Sequence, residues 1–344
     1  MPSSSRRVAP RVCAFASSCF LALAAHGQGV APSLAGDLSV HYDFEHPVAG
    51  NASLEADQGL SGTPLMLVNG GAAMRVADGA WAGSATSLQT QQLNGAANDD
   101  WKAGVYDRPG IATLNAFNAT AGTTIMGWVK PTGTNPNLNT GTANPSDFYN
   151  AVGLMGILSG NSNGHDVRAL LEVIDVGGTL KLVALGRRID GASSLTFAAS
   201  QDWHELLPTN QWTHIAATFD FDNGTMALYR NGTPLAGAYT SSADAWNVIG
   251  APEPDLTSAT NPSGIKIGGS YPQDSQEFNA FNGRFDDLMF FDRSLSHDEV
   301  ALQFQVFAVP EPETYALMLA GLALVGAVAR RRNGERDAAG PARL

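Results

Sequence analysis

Residues 212–236 read WTHIAATFDFDNGTMALYRNGTPLA, and two Asn-Gly pairs divide this stretch into short apolar runs. The runs 212–220 and 225–230 flank Asn223-Gly224, and Asn231-Gly232 comes eight residues later. Asn-Gly is preferred in two-residue type I′ hairpin turns because both residues tolerate the positive φ that these turns require. The stretch therefore predicts an antiparallel meander.

The same signals predict strands elsewhere in the chain. Residues 38–45 alternate strictly between apolar and polar side chains, as a half-buried strand does. Further strands are predicted at 123–130, 167–176, 179–187, 265–269 and 284–291. Ser296 and Glu299 form a capping box, and apolar residues follow at helical spacing, so one short helix is predicted after the last strand. Many short antiparallel strands with one C-terminal helix predict an all-β, two-sheet antiparallel sandwich.

The charge and the cysteines exclude several classes of function. The 344-residue chain has a formal net charge of −12, and residues 29–308 contain 12 Lys and Arg against 28 Asp and Glu. Such an acidic body argues against nucleic acid as a partner, because phosphate binding needs clustered cations. Both cysteines, Cys13 and Cys19, precede residue 29. The body therefore has no disulfide, no cysteine-bound zinc and no thiol nucleophile.

The two ends are typical of targeting segments. Residues 1–28 contain three arginines, then an apolar run and small residues, which predicts a signal peptide. Residues 315–329 are uncharged and precede three arginines, which predicts a transmembrane helix of about 23 Å whose far end lies in the cytoplasm. Residues 29–308 are expected to form a single domain between these segments.

The C-terminal segment, residues 309–344, resembles the PEP-CTERM sorting signal. Its Pro310, Glu311 and Pro312 stand before the apolar segment, and Arg330, Arg331 and Arg332 stand after it. The resemblance implies processing by an exosortase-type membrane enzyme. It also implies transit through the inner membrane and a final place at the cell surface or in the extracellular matrix of a Gram-negative bacterium.

Four stretches of the body resemble laminin-G-like, concanavalin A-like jelly-roll domains. These stretches are residues 124–131 (TIMGWVKP), 211–219 (QWTHIAATF), 226–232 (MALYRNG) and 281–296 (FNGRFDDLMFFDRSLS). The resemblance implies a two-sheet jelly roll. It leaves function open, because lectins, hydrolases and structural modules share this fold.

Three aspartates are candidate metal ligands. Asp286 and Asp287 are adjacent in a predicted strand, so one of the two is expected to point inward, where a carboxylate needs a partner. In laminin-G-like domains a carboxylate of this motif helps to bind Ca²⁺ together with an N-terminal aspartate, which here corresponds to Asp57. The alternative is a carboxylate that accepts hydrogen bonds from backbone amides or from Arg284.

Sugar recognition needs an exposed aromatic ring beside polar groups. Tyr149, Trp203, Trp246 and Tyr271 lie in or beside predicted loops and are the candidates for binding an exopolysaccharide, a surface glycan or a protein. The alternative for each is packing in the core or under a loop.

The sequence predicts an exported binding protein that is not an enzyme. Glycosidases of this fold place two glutamates and an aspartate on one strand, whereas residues 172–176 (EVIDV) have a different spacing and lack the second glutamate. A polysaccharide hydrolase or lyase, and a structural surface component without a specific ligand, are the alternatives.

Overall fold

A computed structural model describes residues 29–93, 100–105, 120–132, 152–158, 167–187, 194–240, 264–269 and 280–308, together with residues 321, 322 and 325. Strands of this part of the chain form two antiparallel sheets that face each other. A short helix packs on the outer side of one of them.

The smaller sheet has eight described strands. They are β1 (Leu38–Tyr42), β5 (Arg75–Val76), β6 (Ser87–Thr90), β8 (Gly122–Pro131), β13 (Thr213–Asp220), β14 (Thr225–Arg230), β15 (Thr233–Pro234) and β18 (Gly283–Phe291). The spatial order is β15-β14-β13-β8-β18-β6-β5. One side of β18 pairs with β6 through residues 283–285 and with β1 through residues 288–291. On this side, β18 is therefore paired with β6 in its first part and with β1 in its second part.

The larger sheet has ten described strands. They are β2 (Pro47–Val48), β3 (Asn51–Glu55), β4 (Leu65–Val68), β7 (Lys102–Val105), β9 (Val152–Leu158), β10 (Val167–Val176), β11 (Thr179–Arg187), β12 (Ser194–Ala199), β16 (Gly237–Tyr239) and β17 (Gly264–Ile267). Their order is β16-β12-β11-β10-β9-β17-β7-β4-β3-β2. This two-sheet sandwich confirms the fold class expected from the sequence.

The turns show why the chain folds back where it does. Asn231 and Gly232 have φ of 50° and 73°, as the predicted type I′ turn requires. The other Asn-Gly pair behaves differently, because β13 and β14 are joined by the four residues 221–224 and only Gly224 has positive φ. The prediction of a two-residue type I′ turn at Asn223-Gly224 was therefore wrong, although the hairpin itself is present.

The main core lies between the sheets, and a second apolar cluster lies outside the smaller one. Ile125, Ile215 and Phe219 meet Leu171 and Leu182 in the main core. The outer cluster joins the smaller sheet to helix α2 (His297–Ala308). The predicted capping box starts this helix, since the Ser296 amide donates to Glu299 at 2.8 Å. A single helical turn, α1 (Trp203–Leu206), is the other α-helix of residues 29–308 in the described part of the chain.

Strand β1 departs from the expected half-buried pattern, because all five of its residues are buried. A Cβ on Gly59 would lie 2.8 Å from the Cα of Val40, so the turn at residues 57–61 passes directly over this strand. The polar residues Ser39 and His41 are therefore enclosed as well. The sequence alternation predicted the strand correctly and its surroundings incorrectly.

Candidate functional site

A β-bulge places both Asp286 and Asp287 inside the protein. The register between β18 and β8 shifts after Asp286, and Asp287 has left-handed backbone with φ of 46°. A bulge interrupts the alternation of side chains along a strand. Both carboxylates are consequently buried, which corrects the expectation that only one of them would point inward.

The two carboxylates are hydrogen-bonded to two separate segments of the chain. Asp287 contacts Nε2 of His41 at 3.0 Å and accepts a short hydrogen bond from Nε1 of Trp81. Asp286 accepts from the Ala80 amide and the Ser84 hydroxyl, both at 2.7 Å. Burial, reinforced by the neighbouring charge of Asp287, raises the pKa of Asp286. These contacts tie residues 80–84 and β1 to the bulge of β18.

Asp57 stabilises the turn that covers β1. Its Oδ1 atom accepts from the amides of His41 at 2.7 Å and Gly59 at 2.8 Å, and its Oδ2 atom accepts from the Ser61 hydroxyl at 2.6 Å. His41 therefore connects Asp57, through its backbone, with Asp287, through its ring. Sequence reasoning had not identified His41, Trp81 or Ser84.

The three aspartates do not surround a common point that suits a metal ion. Calcium takes oxygen ligands at about 2.3–2.6 Å, so two ligand atoms on one ion lie within about 5 Å of each other. Among the described residues, the one group of three or more His and acidic side chains with all ligand atoms within 4.8 Å consists of Asp43, His46 and Glu55. All six oxygens of Asp57, Asp286 and Asp287 already accept hydrogen bonds from the protein. These residues therefore fit a hydrogen-bonding role better than a calcium site.

The cluster of Asp43, His46 and Glu55 is held by its own contacts. Nδ1 of His46 lies 2.8 Å from Oδ2 of Asp43, and this hydrogen bond raises the pKa of the imidazole. Burial raises the pKa of Glu55 to about 7, although Arg75 pairs with its carboxylate and opposes that shift. Imidazole is an unusual ligand for Ca²⁺, which prefers hard oxygen donors. Arg75 already occupies one oxygen of Glu55, so this cluster does not fit calcium either.

Arg284 pairs elsewhere and is not the donor to Asp286 or Asp287 that one sequence alternative expected. Its guanidinium pairs with Asp78, which also accepts from Nζ of Lys130 at 2.8 Å. The donors to Asp286 are two backbone amides, as the alternative expected, and the hydroxyl of Ser84, which it did not include.

Trp203 is not an exposed aromatic ring. It has 0% exposure and belongs to the main core, because α1 turns it between the sheets. The prediction that Trp203 lines a binding surface was therefore wrong, and the alternative of core packing holds. Tyr149, Trp246 and Tyr271 lie outside the described residues, as do Pro310, Glu311, Pro312, Arg330, Arg331 and Arg332.

The outer face of the larger sheet carries a lysine between two glycines. Lys266 lies between Ile265 and Ile267, which point into the main core, so its side chain projects from the opposite face. It is opposite Gly104 on β7 and Gly156 on β9. The two residues that flank it therefore have no side chains.

The same face carries two further buried charges. Lys102 and Glu172 alternate with core residues in the same way, and Glu172 is opposite Gly153. Lys102, Lys266 and Glu172 are 1%, 5% and 5% exposed. Met66 lies beyond Gly104 across the strands, and Leu170 and then Leu185 lie beyond Gly156. These residues therefore form one row with Lys266 across the sheet. Charged groups enclosed on the outside of a sheet need partners, and Lys102, Lys266 and Glu172 each have such interactions.

The family model of the concanavalin A-like lectin/glucanases superfamily, in its laminin G form, matches residues 107–301, more than half of the chain. The chain belongs to this superfamily. The match begins after β7, yet β1–β7 complete both sheets of the lectin-like sandwich. A second family model, the PEP-CTERM protein-sorting motif, matches residues 308–332 of this lectin-like protein. The motif implies export to the bacterial cell surface with exosortase-type processing.

Solved structures of similar fold have low sequence identity to this lectin-like chain. The binding domain of botulinum neurotoxin DC in complex with rat synaptotagmin II has 12% identity and a TM-score of 0.49, covering 80% of this chain and 52% of that chain. The heptameric SAP-like pentraxin from Limulus polyphemus has 17% identity and a TM-score of 0.36, covering 58% and 72%. The chain spans about half the length of the toxin chain. No curated protein matches.

Within the described residues, no helix is both long and apolar enough to span a membrane. Of the predicted transmembrane segment, residues 321, 322 and 325 are described, and all three are helical.

Proposed function

We propose that this chain is an exported binding protein of the cell surface or extracellular matrix that recognises a glycan or a protein and performs no catalysis. It crosses the inner membrane of a Gram-negative bacterium, and an exosortase-type enzyme processes its C-terminal segment. The family membership and the sorting motif support this proposal. The observation that carries its binding part is the outer face of the larger sheet.

The outer face combines charged side chains with apolar ones. Gly104 and Gly156 beside Lys266 are buried, and a Cβ on Gly156 would lie 2.6 Å from Cδ1 of Leu170, so the side chain of Leu170 packs against that glycine. The ammonium of Lys266 also lies 3.9 Å from the position that a Cβ on Gly153 would take. Two lysines and one glutamate supply donors and acceptors, and the row of Met66, Leu170 and Leu185 supplies apolar contact. Few polar groups within a mainly apolar surface are typical of ligand sites.

The candidate carboxylates for hydrolysis do not act as a pair. Glu172 projects from the outer face, whereas Asp175 is three positions along β10 and has the opposite orientation. Oδ1 of Asp175 accepts from the Gly178 amide at 2.8 Å, so this residue stabilises the hairpin turn. Glycoside hydrolysis needs two carboxyl groups that flank one bond. This geometry supports a binding function.

The proposal is tested by applying the purified chain to a glycan array and to surface extracts of the producing bacterium. Saturable binding to one class of glycan or to one protein is the expected result. Release of reducing ends from a bound polysaccharide would contradict the non-enzymatic assignment. Absence of any saturable ligand would favour the structural component instead.

Replacing Lys266 by methionine is expected to weaken ligand binding about 10- to 100-fold. The change keeps the apolar stem and removes a charge-assisted hydrogen bond, which contributes about 1.5–3 kcal/mol. Titration calorimetry measures the affinity, and a melting curve verifies that the variant is folded. Lys181→Met is the matched control, because Lys181 lies on the same sheet and donates to the Ser200 carbonyl at the hairpin end. Equal losses in both variants, or none in either, would exclude Lys266 from the site.

Millimolar Ca²⁺ is expected to leave the melting temperature unchanged within about 1 °C, and a chelator is expected to have no effect. Binding of an ion to the folded state alone would raise the melting temperature by mass action. The carboxylates of Asp57, Asp286 and Asp287 lack the common geometry for an ion. Differential scanning calorimetry with and without Ca²⁺ measures the shift. A rise of several degrees that Asp57→Asn abolishes would restore the calcium site.

A further inference from the structure

The segment that follows the predicted signal peptide lies against the helix that precedes the sorting motif. Gly29 comes directly after residue 28, and α2 ends at Ala308, where the match to the sorting motif begins. A Cβ on Gly29 would be 3.0 Å from Cε1 of Phe307 and 3.3 Å from the ring of Trp81. The first described residue of the folded body and the end of α2 therefore lie at one place.

Gln303 joins these two segments through both polar atoms of its side chain. Its Nε2 atom donates to the Gly29 carbonyl, and its Oε1 atom accepts from the Ala31 amide at 2.9 Å. The side chain is 0% exposed, so no water replaces these bonds. Leaving a buried amide without partners is unfavourable. Gln303 is therefore satisfied only when residues 29–31 are in place.

Further contacts fasten the same segment, residues 29–37, which we term the N-terminal strap. Ala31 and Leu34 are buried in the apolar cluster that also contains Val300 and Phe307 of α2. Asp37, at the end of the strap, pairs with Nε of Arg293 at 2.7 Å, and Arg293 also pairs with Glu299 of α2 at 2.7 Å. The strap and the helix thus share apolar, amide and ionic contacts.

We propose that the N-terminal strap is a latch that holds α2 on the smaller sheet and thereby restrains processing of the sorting motif. This inference rests on the proposed sorting function. With α2 docked, residues 309–314 separate the body from the predicted transmembrane segment and span about 20 Å at full extension. Release of the 12 residues of α2 adds up to about 40 Å. A membrane-embedded processing enzyme then has more room beside the folded body.

Hydrogen exchange on the full chain tests the latch itself. Gln303→Ala is expected to accelerate exchange of the amides in α2 and in the strap by about tenfold or more, because two buried hydrogen bonds are lost. Gln305→Ala is the matched control, since Gln305 is exposed on the same helix. Unchanged exchange in Gln303→Ala, or acceleration in α2 without the strap, overturns the proposal.

The proposed restraint on processing is tested in cells that carry an exosortase-type enzyme. Gln303→Ala is expected to be shortened severalfold faster than the wild type in a pulse-chase experiment, and Gln305→Ala at the wild-type rate. Asp37→Asn is a second variant that removes the strap's ion pair at a partly exposed position and leaves the core intact. A wild-type chain that is never shortened refutes the sorting function together with this inference. A wild-type chain that is shortened at the same rate as Gln303→Ala and Asp37→Asn refutes the latch alone.

Discussion

Replacing Trp203 by alanine is expected to lower the free energy of unfolding by about 3–5 kcal/mol. The indole is completely enclosed between the sheets, so its loss removes a large apolar surface from the core and leaves a cavity. Chemical denaturation followed by circular dichroism measures the change. Ligand affinity of the folded fraction should stay at the wild-type value.

Trp212→Ala is the matched control for Trp203. Trp212 is partly exposed, and the ammonium of Lys130 lies 5.5 Å from its ring centroid. Truncation there should cost less than about 2 kcal/mol, because the surroundings are already accessible to water. Full stability of Trp203→Ala combined with lost ligand binding would contradict the core assignment and restore Trp203 as a binding residue.

Acidification is expected to destabilise the protein through His214, by up to about 5 kcal/mol between pH 6.5 and pH 3. The imidazole is fully buried among Trp128, Phe304 and Phe307, and burial lowers its pKa from 6.5 to about 3. Neither ring nitrogen has a hydrogen-bond partner in the described part of the chain. Between these pH values the unfolded chain binds a proton that the folded chain does not, so stability falls as the pH falls.

Urea unfolding at about pH 7, 5 and 4 measures this dependence. His214→Phe should flatten it, because phenylalanine keeps an aromatic ring in the cluster and cannot be protonated. His204→Gln should retain the wild-type dependence, since the side chain of His204 is 61% exposed. If His214→Phe shows the wild-type slope from pH 7 to pH 4, another group is responsible for the acid sensitivity.

Local sequence signals predicted helix α2 and the strands of the main hairpins, but they did not predict β2–β7, β9, β12, β16 or the single turn of α1. The hairpin at Gly177-Gly178 has the predicted strand limits, and both glycines have positive φ. The capping box of Ser296 and Glu299 starts α2 as expected. These features depend on residues close together in the sequence, where turn and capping preferences act directly.

The bulge at Asp286 and Asp287 could not be predicted from alternation. It lies where β18 exchanges β6 for β1, and this pairing joins residues about 200 to 250 positions apart. The donors to both carboxylates, His41, Trp81 and Ser84, come from equally distant parts of the chain. A period-2 pattern contains no information about such partners.

The sequence contains a signal for the buried contacts of Gln303 that the predictions above did not include. Val300, Gln303 and Phe307 share one helical face, so a glutamine interrupts an otherwise apolar stripe. A polar residue at such a position needs a buried partner, and the strap supplies it. Lys266 gave a comparable signal as a charge between two core isoleucines, although its glycine neighbours depend on strand order.

The contact between Gly29 and Phe307 has a consequence for rearranging the polypeptide. Domains whose ends are adjacent tolerate circular permutation. A short glycine-rich linker from residue 308 back to residue 29 would join the ends, and new termini could be opened at the exposed Gly177-Gly178 turn. Such a permutant would keep both sheets while removing the natural ends from the surface beside α2.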